Sequence, residues 1–321
     1  MLDRSNQLPH AEGLSRLART PGAFLPIDCV PARDGRPDRV VWLDVDGLDF
    51  EQPFQEEDLA VARRERSWFV TDRSTCRPAA APDRRTLDGV LFHVARCGST
   101  LARRLLGAIP DVVVHSEPGI LNQSLREPDS ISLGGVLAAY RAHARRHGWR
   151  AFVKCTSWNL LHADRLLELV EPTPALFIHR DPGEVLASCH GSDWSRRLPE
   201  SMRDPDPPSD PSEGNGRYLE ALMRAGLRLA ESGRVRCVEY PDLVDRLVDG
   251  DLPEHLGYEV DAPLRERMLE LAGVNSKQPE VPFEVDAERK ARIVAAVPGI
   301  AREAARLEPL HQALRSWSVA P

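Results

Sequence analysis

The chain has 321 residues, of which 42% are hydrophobic and 28% are charged, and its formal net charge at pH 7 is −7. These values are ordinary for a folded globular protein, and the length suits one α/β core with an appendage. General nucleic-acid binding needs a basic surface, so the acidic balance argues against that class of function. The negative net charge does not exclude a local basic pocket that binds an anion.

Targeting signals and metal motifs are not expected. There is no apolar run of about 18 residues, so we expect no membrane span. Residues 1–10 lack the charged-then-apolar pattern of a secretory signal. The six cysteines are scattered and form no CxxC pair. We therefore expect reduced thiols in a cytoplasmic protein, with no disulfide framework, no zinc site and no other metal ligands.

Residues 1–85 have a different composition from the rest and predict a small β-containing N-terminal extension. A strand-like run covers Arg39–Val45, and Asp46-Gly47 then supplies turn chemistry. A second short strand is predicted at Trp68–Val70. The proline-containing stretch Thr75–Arg85 is typical of a linker. Acceptor binding and homodimerisation are both open as roles for this extension.

From residue 86 to residue 321, short buried strands alternate with amphipathic helices. The predicted strands are Gly89–Val94, Val112–Val114, Ala151–Val153, Ala175–Ile178 and Val235–Val238. The predicted helices follow the first strand to about 108, cover about 133–147, 159–170 and 216–231, begin at Pro182, and continue to the C-terminus. This alternation predicts a three-layer α/β domain with a parallel sheet. Right-handed crossovers place its strand-to-helix loops on one edge, where ligands bind.

One segment of this domain lacks the pattern. Residues 198–216 contain five prolines among Asp, Glu, Ser and Gly residues. Such a composition cannot bury a core, so it predicts a mobile loop. A lid over the acceptor is the hypothesis for its role.

The turn after the first strand of the domain has the features of a phosphate-binding loop. Ala95-Arg-Cys-Gly-Ser-Thr100 precedes a helix, whose N-terminal N–H groups and dipole attract an anion. Gly98 lets the backbone approach a phosphate closely. Ser99 and Thr100 add hydroxyl donors, and Arg96 adds a charge-assisted contact. The loop is not a Walker A motif, because no lysine follows the glycine.

This segment resembles the 5′-phosphosulfate loop of sulfotransferases that depend on PAPS (3′-phosphoadenosine 5′-phosphosulfate). Those loops have a basic residue, a small residue, glycine and then two hydroxyl residues, and Arg96–Thr100 follow this order. Cys97 replaces the commoner serine, which is a departure from the pattern. The resemblance extends over about residues 88–240, is looser to about 300, and is absent over the extension.

A second part of the resemblance concerns the nucleotide 3′-phosphate. The family has an arginine at a strand end and a serine eight residues later, which bind that phosphate, and Arg180 and Ser188 match these positions. An arginine at a strand end and a hydroxyl two turns into a helix can bind a dianion from two sides. Asn275-Ser-Lys-Gln278 resembles the basic loop that closes over the same phosphate, so Lys277 is a further candidate.

The resemblance also suggests the groups that act on the sulfuryl group. Such a transfer needs removal of the acceptor proton and stabilisation of charge on the bridging oxygen. His115-Ser-Glu-Pro118 is similar to a run of carbohydrate-type sulfotransferases whose glutamate is the base, which implies Glu117. His115 is the alternative, because small-molecule sulfotransferases use a histidine. Lys154 matches the lysine that lies near the sulfuryl group.

Together these residues predict a sulfotransferase that transfers a sulfuryl group from PAPS to a hydroxyl or amine and releases PAP (adenosine 3′,5′-bisphosphate) without a metal. The acceptor is open among small molecules, peptides and carbohydrates. One alternative is a P-loop kinase-like enzyme using ATP, which would need the missing lysine and an acid that binds magnesium. Another is a nucleotide-binding protein without a catalytic base.

Overall fold

A computed structural model of the chain describes residues 1–30, 38–77, 87–127, 131–170, 172–194, 196, 198–274 and 286–319. Its residues divide into two compact units. Unit 1 contains residues 1–90, 106–155 and 162–173, and unit 2 contains residues 91–105, 156–161 and 174–321. The described helices include none that is both long and apolar enough to span a membrane.

The N-terminal part of unit 1 is built on a three-stranded antiparallel sheet with the order β1-β2-β3. The strands are β1 (Phe24–Val30), β2 (Arg39–Asp44) and β3 (Trp68–Asp72), and the helices are α1 (His10–Arg19) and α2 (Gln55–Glu65). The two strands predicted in this region correspond to β2 and β3 and are confirmed, as is the turn with Gly47 at φ +73°. The first strand was not predicted, because Pro26 lies inside it and a register shift follows.

Residues of the extension pack closely on the later helix α5 (Leu133–Arg146) of unit 1. A side chain at Gly22 would meet the backbone of Ala142. The ring nitrogens of the buried His143 lie 3.0 and 3.2 Å from the carbonyl oxygens of Gly22 and Leu48. The predicted boundary after residue 85 and most of the predicted linker lie outside the described residues, so that division of the chain stays a prediction.

The second sheet has five strands in the order β5-β6-β4-β7-β8. They are β4 (Gly89–His93), β5 (Val112–Ser116), β6 (Arg150–Lys154), β7 (Ala175–His179) and β8 (Arg236–Glu239). The strands β5 and β6 pair in parallel, and so do β7 and β8. Four of the five strands are buried along almost their whole length, as a sheet covered on both faces requires. The predicted α/β fold with a parallel sheet is confirmed.

The strand order defines where a ligand is expected. The chain leaves β4 toward β5 on one side, whereas it leaves β7 toward β8 on the other side. Ligands of open α/β sheets bind beyond the carboxyl ends of the strands where the order reverses. The loops after β4 and β7, both in unit 2, are therefore where a ligand is expected.

The remaining helices follow the predicted alternation. They are α3 (Ser99–Leu106), α4 (Gly119–Arg126), α6 (Ala163–Val170), α7 (Pro182–Ser188), α8 (Pro211–Glu231), α9 (Leu243–Val248), α10 (Leu252–Leu256), α11 (Ala262–Ala272), α12 (Ala287–Ala296) and α13 (Pro298–Ser318). The helix predicted over 159–170 begins instead as a 3-10 helix, Ser157–His162, which passes into α6.

The loop predicted over residues 198–216 is wrong for its last six residues, which form the first turns of α8. Asp210 caps this helix by accepting a hydrogen bond from the backbone N–H of Ser212 at 2.8 Å. Pro211 occupies the first helical position, where its missing N–H costs nothing. Glycine at position 216 leaves room for the Glu303 side chain, because a Cβ there would lie less than 3.0 Å from the Glu303 carboxylate. The mobility and lid role of the remaining loop stay predictions.

Candidate functional site

The loop between β4 and α3 has the backbone shape of an anion-binding turn. Ala95, Arg96 and Gly98 all have positive φ, at +67°, +51° and +81°. Two consecutive non-glycine residues in this region are uncommon, and strain of this kind concentrates at functional sites. The backbone N–H of Ala95 donates to Nδ1 of the buried His93 at 3.0 Å, which braces the turn.

The side chains of the loop divide into two groups. Arg96 is exposed and forms no ion pair with a described residue, so its guanidinium is available to an anion. Ser99 and Thr100 begin α3 and are each only 6% exposed, beside the N–H groups of the first helical turn. Cys97 is fully buried, so it contributes to the loop through its backbone.

Gly98 is required by its conformation and by its neighbour. Its φ of +81° disfavours a side chain, and a Cβ there would lie less than 3.0 Å from Cδ2 of the Tyr240 ring. Tyr240 follows β8 directly, at the carboxyl end of that strand. Burial raises the pKa of its hydroxyl, and the ring covers the loop.

Arg180, at the end of β7, stacks on the same tyrosine. Its Cζ lies 4.1 Å from the centroid of the Tyr240 ring, which is a cation–π distance. The guanidinium also forms an ion pair with Glu184 one turn into α7. Only 12% of the side chain is exposed, and Nε donates to no described residue. A half-buried guanidinium whose buried Nε is an unused donor can accept an anionic partner.

Ser188 and the buried cation Lys290 lie on helices beside Arg180. The Ser188 hydroxyl, at the last position of α7, donates to the carbonyl of Glu184 at 2.9 Å. Lys290 on α12 is 3% exposed, and its Nζ lies 2.8 Å from Asp286 and 3.6 Å from Glu184. Sequence reasoning missed Lys290, because nothing near it in the sequence indicates burial. The predicted Lys277 lies outside the described residues.

Glu117 and Lys154 form an ion pair within unit 1. The pairing of β5 with β6 brings the two residues together, because Ser116 is opposite Lys154 in this pairing. The backbone N–H of Glu117 also donates to the carbonyl of Lys154 at 2.7 Å. The Lys154 side chain is fully buried, whereas the Glu117 side chain keeps 24% exposure. Glu117 has a φ of +51°, a strained conformation for a residue with a side chain.

His115 lies on β5, two residues before Glu117, and is buried. Its exposure is 0%, its ring stacks on Tyr140 with centroids 4.3 Å apart, and its Nδ1 lies 3.2 Å from Oε1 of Gln55. A base must reach the proton that it removes. The burial of His115 therefore favours Glu117 among the two candidates.

Sequence reasoning also missed a contribution from the extension. The Phe54 ring lies 5.3 Å from Nζ of Lys154, and the carbonyl of Pro53 accepts a hydrogen bond from Ser116 at 2.7 Å. The segment before α2 thus packs against the strand ends that bear the Glu117–Lys154 pair. No local motif indicates this, because the residues in contact are 63 and 100 positions apart in the sequence.

A cavity of about 480 Å³ lies in unit 2, at the C-terminal end of α7 and the N-terminal end of α8. Its walls include His190, Asp193, Asp210 and Asn215. None of the predicted site residues lines it.

No protein-family model matches the sequence, and no curated protein matches it significantly. Several solved structures show a likeness to it, and three of them are sulfotransferases with the following values. The sulfotransferase domain of the olefin synthase from Synechococcus PCC 7002 has a TM-score of 0.40 and 16% identity, over 71% of this chain and 97% of that one. The sulfotransferase STF9 from Mycobacterium avium has a TM-score of 0.38 and 14% identity, over 67% of this chain and 76% of that one. Mouse sulfotransferase SULT7A1, solved with PAP, has a TM-score of 0.35 and 13% identity, over 61% of this chain and 69% of that one.

Proposed function

We propose that this chain is a sulfotransferase that takes its sulfuryl group from PAPS. The observation that carries the proposal is the stack of Gly98, Tyr240 and Arg180 at the switch point of the sheet. It joins the turn between β4 and α3, with its three residues of positive φ, to a half-buried arginine with an unused donor. A donor with anionic groups at its 5′ and 3′ ends needs two such sites. An ATP site needs a lysine in the loop instead.

The donor is held, in this proposal, at both ends by unit 2. Arg96, Ser99, Thr100 and the N–H groups of the first turn of α3 bind the 5′-phosphosulfate. Arg180 and Ser188 bind the 3′-phosphate, with Arg180 exchanging part of its contact with Glu184 for the stronger dianion. PAPS supplies an activated sulfuryl group, whose bond to the bridging phosphate oxygen breaks as PAP leaves.

The acceptor side of the proposal assigns chemistry to the Glu117–Lys154 pair. The carboxylate of Glu117 takes the proton of the acceptor hydroxyl as the oxygen bonds to sulfur. The ammonium of Lys154 orients that carboxylate and stabilises the negative charge that forms on the leaving oxygen. Phe54 and the segment before α2 contribute to the acceptor site. The class of acceptor, dimerisation and a cytoplasmic location stay predictions.

Calorimetry with PAP, ADP and ATP tests the class of donor. We expect the full chain to bind PAP at least about tenfold more tightly than ADP, because each good charge-assisted contact adds roughly 1.5–3 kcal/mol. Tight ATP binding with no preference for PAP would exclude the proposal. A chain that binds PAP but transfers no sulfuryl group to phenols, sugars or alkyl alcohols would be a non-catalytic nucleotide-binding protein.

Replacing Arg180 by alanine tests the 3′-phosphate site specifically. We expect the affinity for PAP to fall roughly 10–100-fold while the affinity for ADP changes little, because only PAP has the 3′-phosphate. The matched control is Arg224→Ala on α8, which removes an exposed arginine paired with Glu220. Calorimetry that shows equal losses for PAP and ADP in Arg180→Ala would assign the residue a structural role only.

A further inference from the structure

His311 on α13 is a buried histidine held by a carboxylate on one ring nitrogen. It is 4% exposed, and its Nε2 lies 2.9 Å from Oε1 of Glu239 at the end of β8. Arg315 pairs with the other oxygen of that carboxylate at 3.0 Å. A carboxylate is only an acceptor, so the imidazole donates its Nε2–H to Glu239. In the neutral ring this leaves a lone pair on Nδ1.

That Nδ1 faces two carboxylates that no described lysine or arginine neutralises. It is buried and has no hydrogen-bond partner among the described residues. Glu308, three residues earlier on the same face of α13, has Oε2 3.6 Å away. Asp181 supplies the second carboxylate, and one possible ligand atom from each of Asp181, Glu308 and His311 lies within 4.8 Å of the other two. A cation bound between these groups would neutralise both carboxylates and use the lone pair of the nitrogen.

We propose that Asp181, Glu308 and His311 bind a divalent transition-metal ion. Bonds of about 2.0–2.2 Å to nitrogen and oxygen place neighbouring ligand atoms roughly 3.0–3.5 Å apart, which the His311–Glu308 separation nearly meets. A mixed set of imidazole and carboxylates suits Zn²⁺, Mn²⁺ or Fe²⁺ better than Mg²⁺ or Ca²⁺, which prefer oxygen.

The surroundings of the three side chains support this assignment. Glu239 occupies the place of the carboxylate that orients most metal-bound histidines through their second ring nitrogen. Asp181 uses Oδ1 to cap α7, where it accepts from the N–H of Glu184 at 2.8 Å, and Oδ2 stays available. The sequence led us to expect no metal ligands, because only the local spacing of Glu308 and His311 is visible without the fold.

The test uses the full chain, freed of metal with a chelator and of any histidine tag. Cobalt(II) is titrated and followed by its visible absorption, and Zn²⁺ is titrated by calorimetry. We expect one ion per chain, and at least about tenfold weaker binding in Glu308→Gln and in Asp181→Asn. Asparagine preserves the helix cap at position 181, and Glu308 is 45% exposed, so both variants should fold.

Glu270→Gln on α11 is the control, because it removes an exposed helical carboxylate outside the cluster. It should bind cobalt as the unchanged chain does, and circular dichroism should be the same for all variants. Absence of saturable binding, or equal affinity in Glu308→Gln and Glu270→Gln, would overturn the assignment. No nucleotide is present in these titrations, so their outcome is independent of the proposed sulfuryl transfer.

Discussion

Replacing Glu117 by glutamine is expected to reduce the free energy of unfolding by roughly 2–3 kcal/mol, more than replacing its partner Lys154 by methionine. The glutamine leaves the ammonium of Lys154 fully buried without a counter-charge. Breaking a buried ion pair from one side costs about 3–5 kcal/mol, and the 24% exposure of Glu117 reduces that figure through solvent screening. Denaturant unfolding of the purified variants measures the difference.

Lys154→Met is expected to cost about 1 kcal/mol or less. Methionine fills the volume of the lysine stem beside Phe54, and the partly exposed Glu117 can turn toward water. The double variant should then be more stable than Glu117→Gln alone, because it removes the unpaired charge. If Lys154→Met proves as destabilising as Glu117→Gln, the ammonium is not the uncompensated charge in the single variant.

The same variants separate stability from chemistry. Under the proposed function, Glu117→Gln and Lys154→Met should each lower the rate of sulfuryl transfer by about 100-fold or more, because general-base and electrostatic contributions are of this size. The affinity for PAP, measured by calorimetry, should stay within about twofold. Retention of transfer in Glu117→Gln would remove this glutamate from the role of base.

The parallel sheet could be predicted because its strands are short, continuous apolar runs. Burial on both faces produces this pattern directly, as at Ala175–His179. Strand β1 could not be predicted, because Pro26 suggests a turn unless the neighbouring strand is known. The start of α8 was missed for a related reason, since proline, serine and glycine suggest a loop, although Asp210-Pro211 is also a helix start.

The candidate site likewise contains residues that local sequence indicates and contacts that only the fold reveals. Arg96 and Arg180 could be found because each stands where a strand ends, in a position that local sequence defines. Tyr240 also follows a predicted strand, but its contact with Gly98 joins residues more than a hundred positions apart. The pairing of Glu117 with Lys154 required the order of the strands, which places β5 beside β6 and which the sequence does not state.

Replacing Gly98 by alanine is expected to remove both ends of the donor site at once. The new Cβ would force the Tyr240 ring away from the loop, and the Arg180 guanidinium, which stacks on that ring, would lose its support. We expect the affinity for PAP to fall about 100-fold or more, since roughly 1.4 kcal/mol corresponds to each tenfold. The positive φ adds roughly 1–2 kcal/mol of backbone strain to the loss of stability.

Gly233→Ala separates the strain from the collision. Gly233 has a φ of +71° in the same unit, but nothing lies within 4 Å of a Cβ there. It should lose stability through strain alone and bind PAP normally. Tyr240→Ala completes a double-mutant cycle, in which Gly98→Ala should cost less stability once the ring is absent. If the cost of Gly98→Ala is the same with and without the ring, the close approach of Tyr240 does not explain the glycine, and the coupling between the loop and Arg180 fails with it.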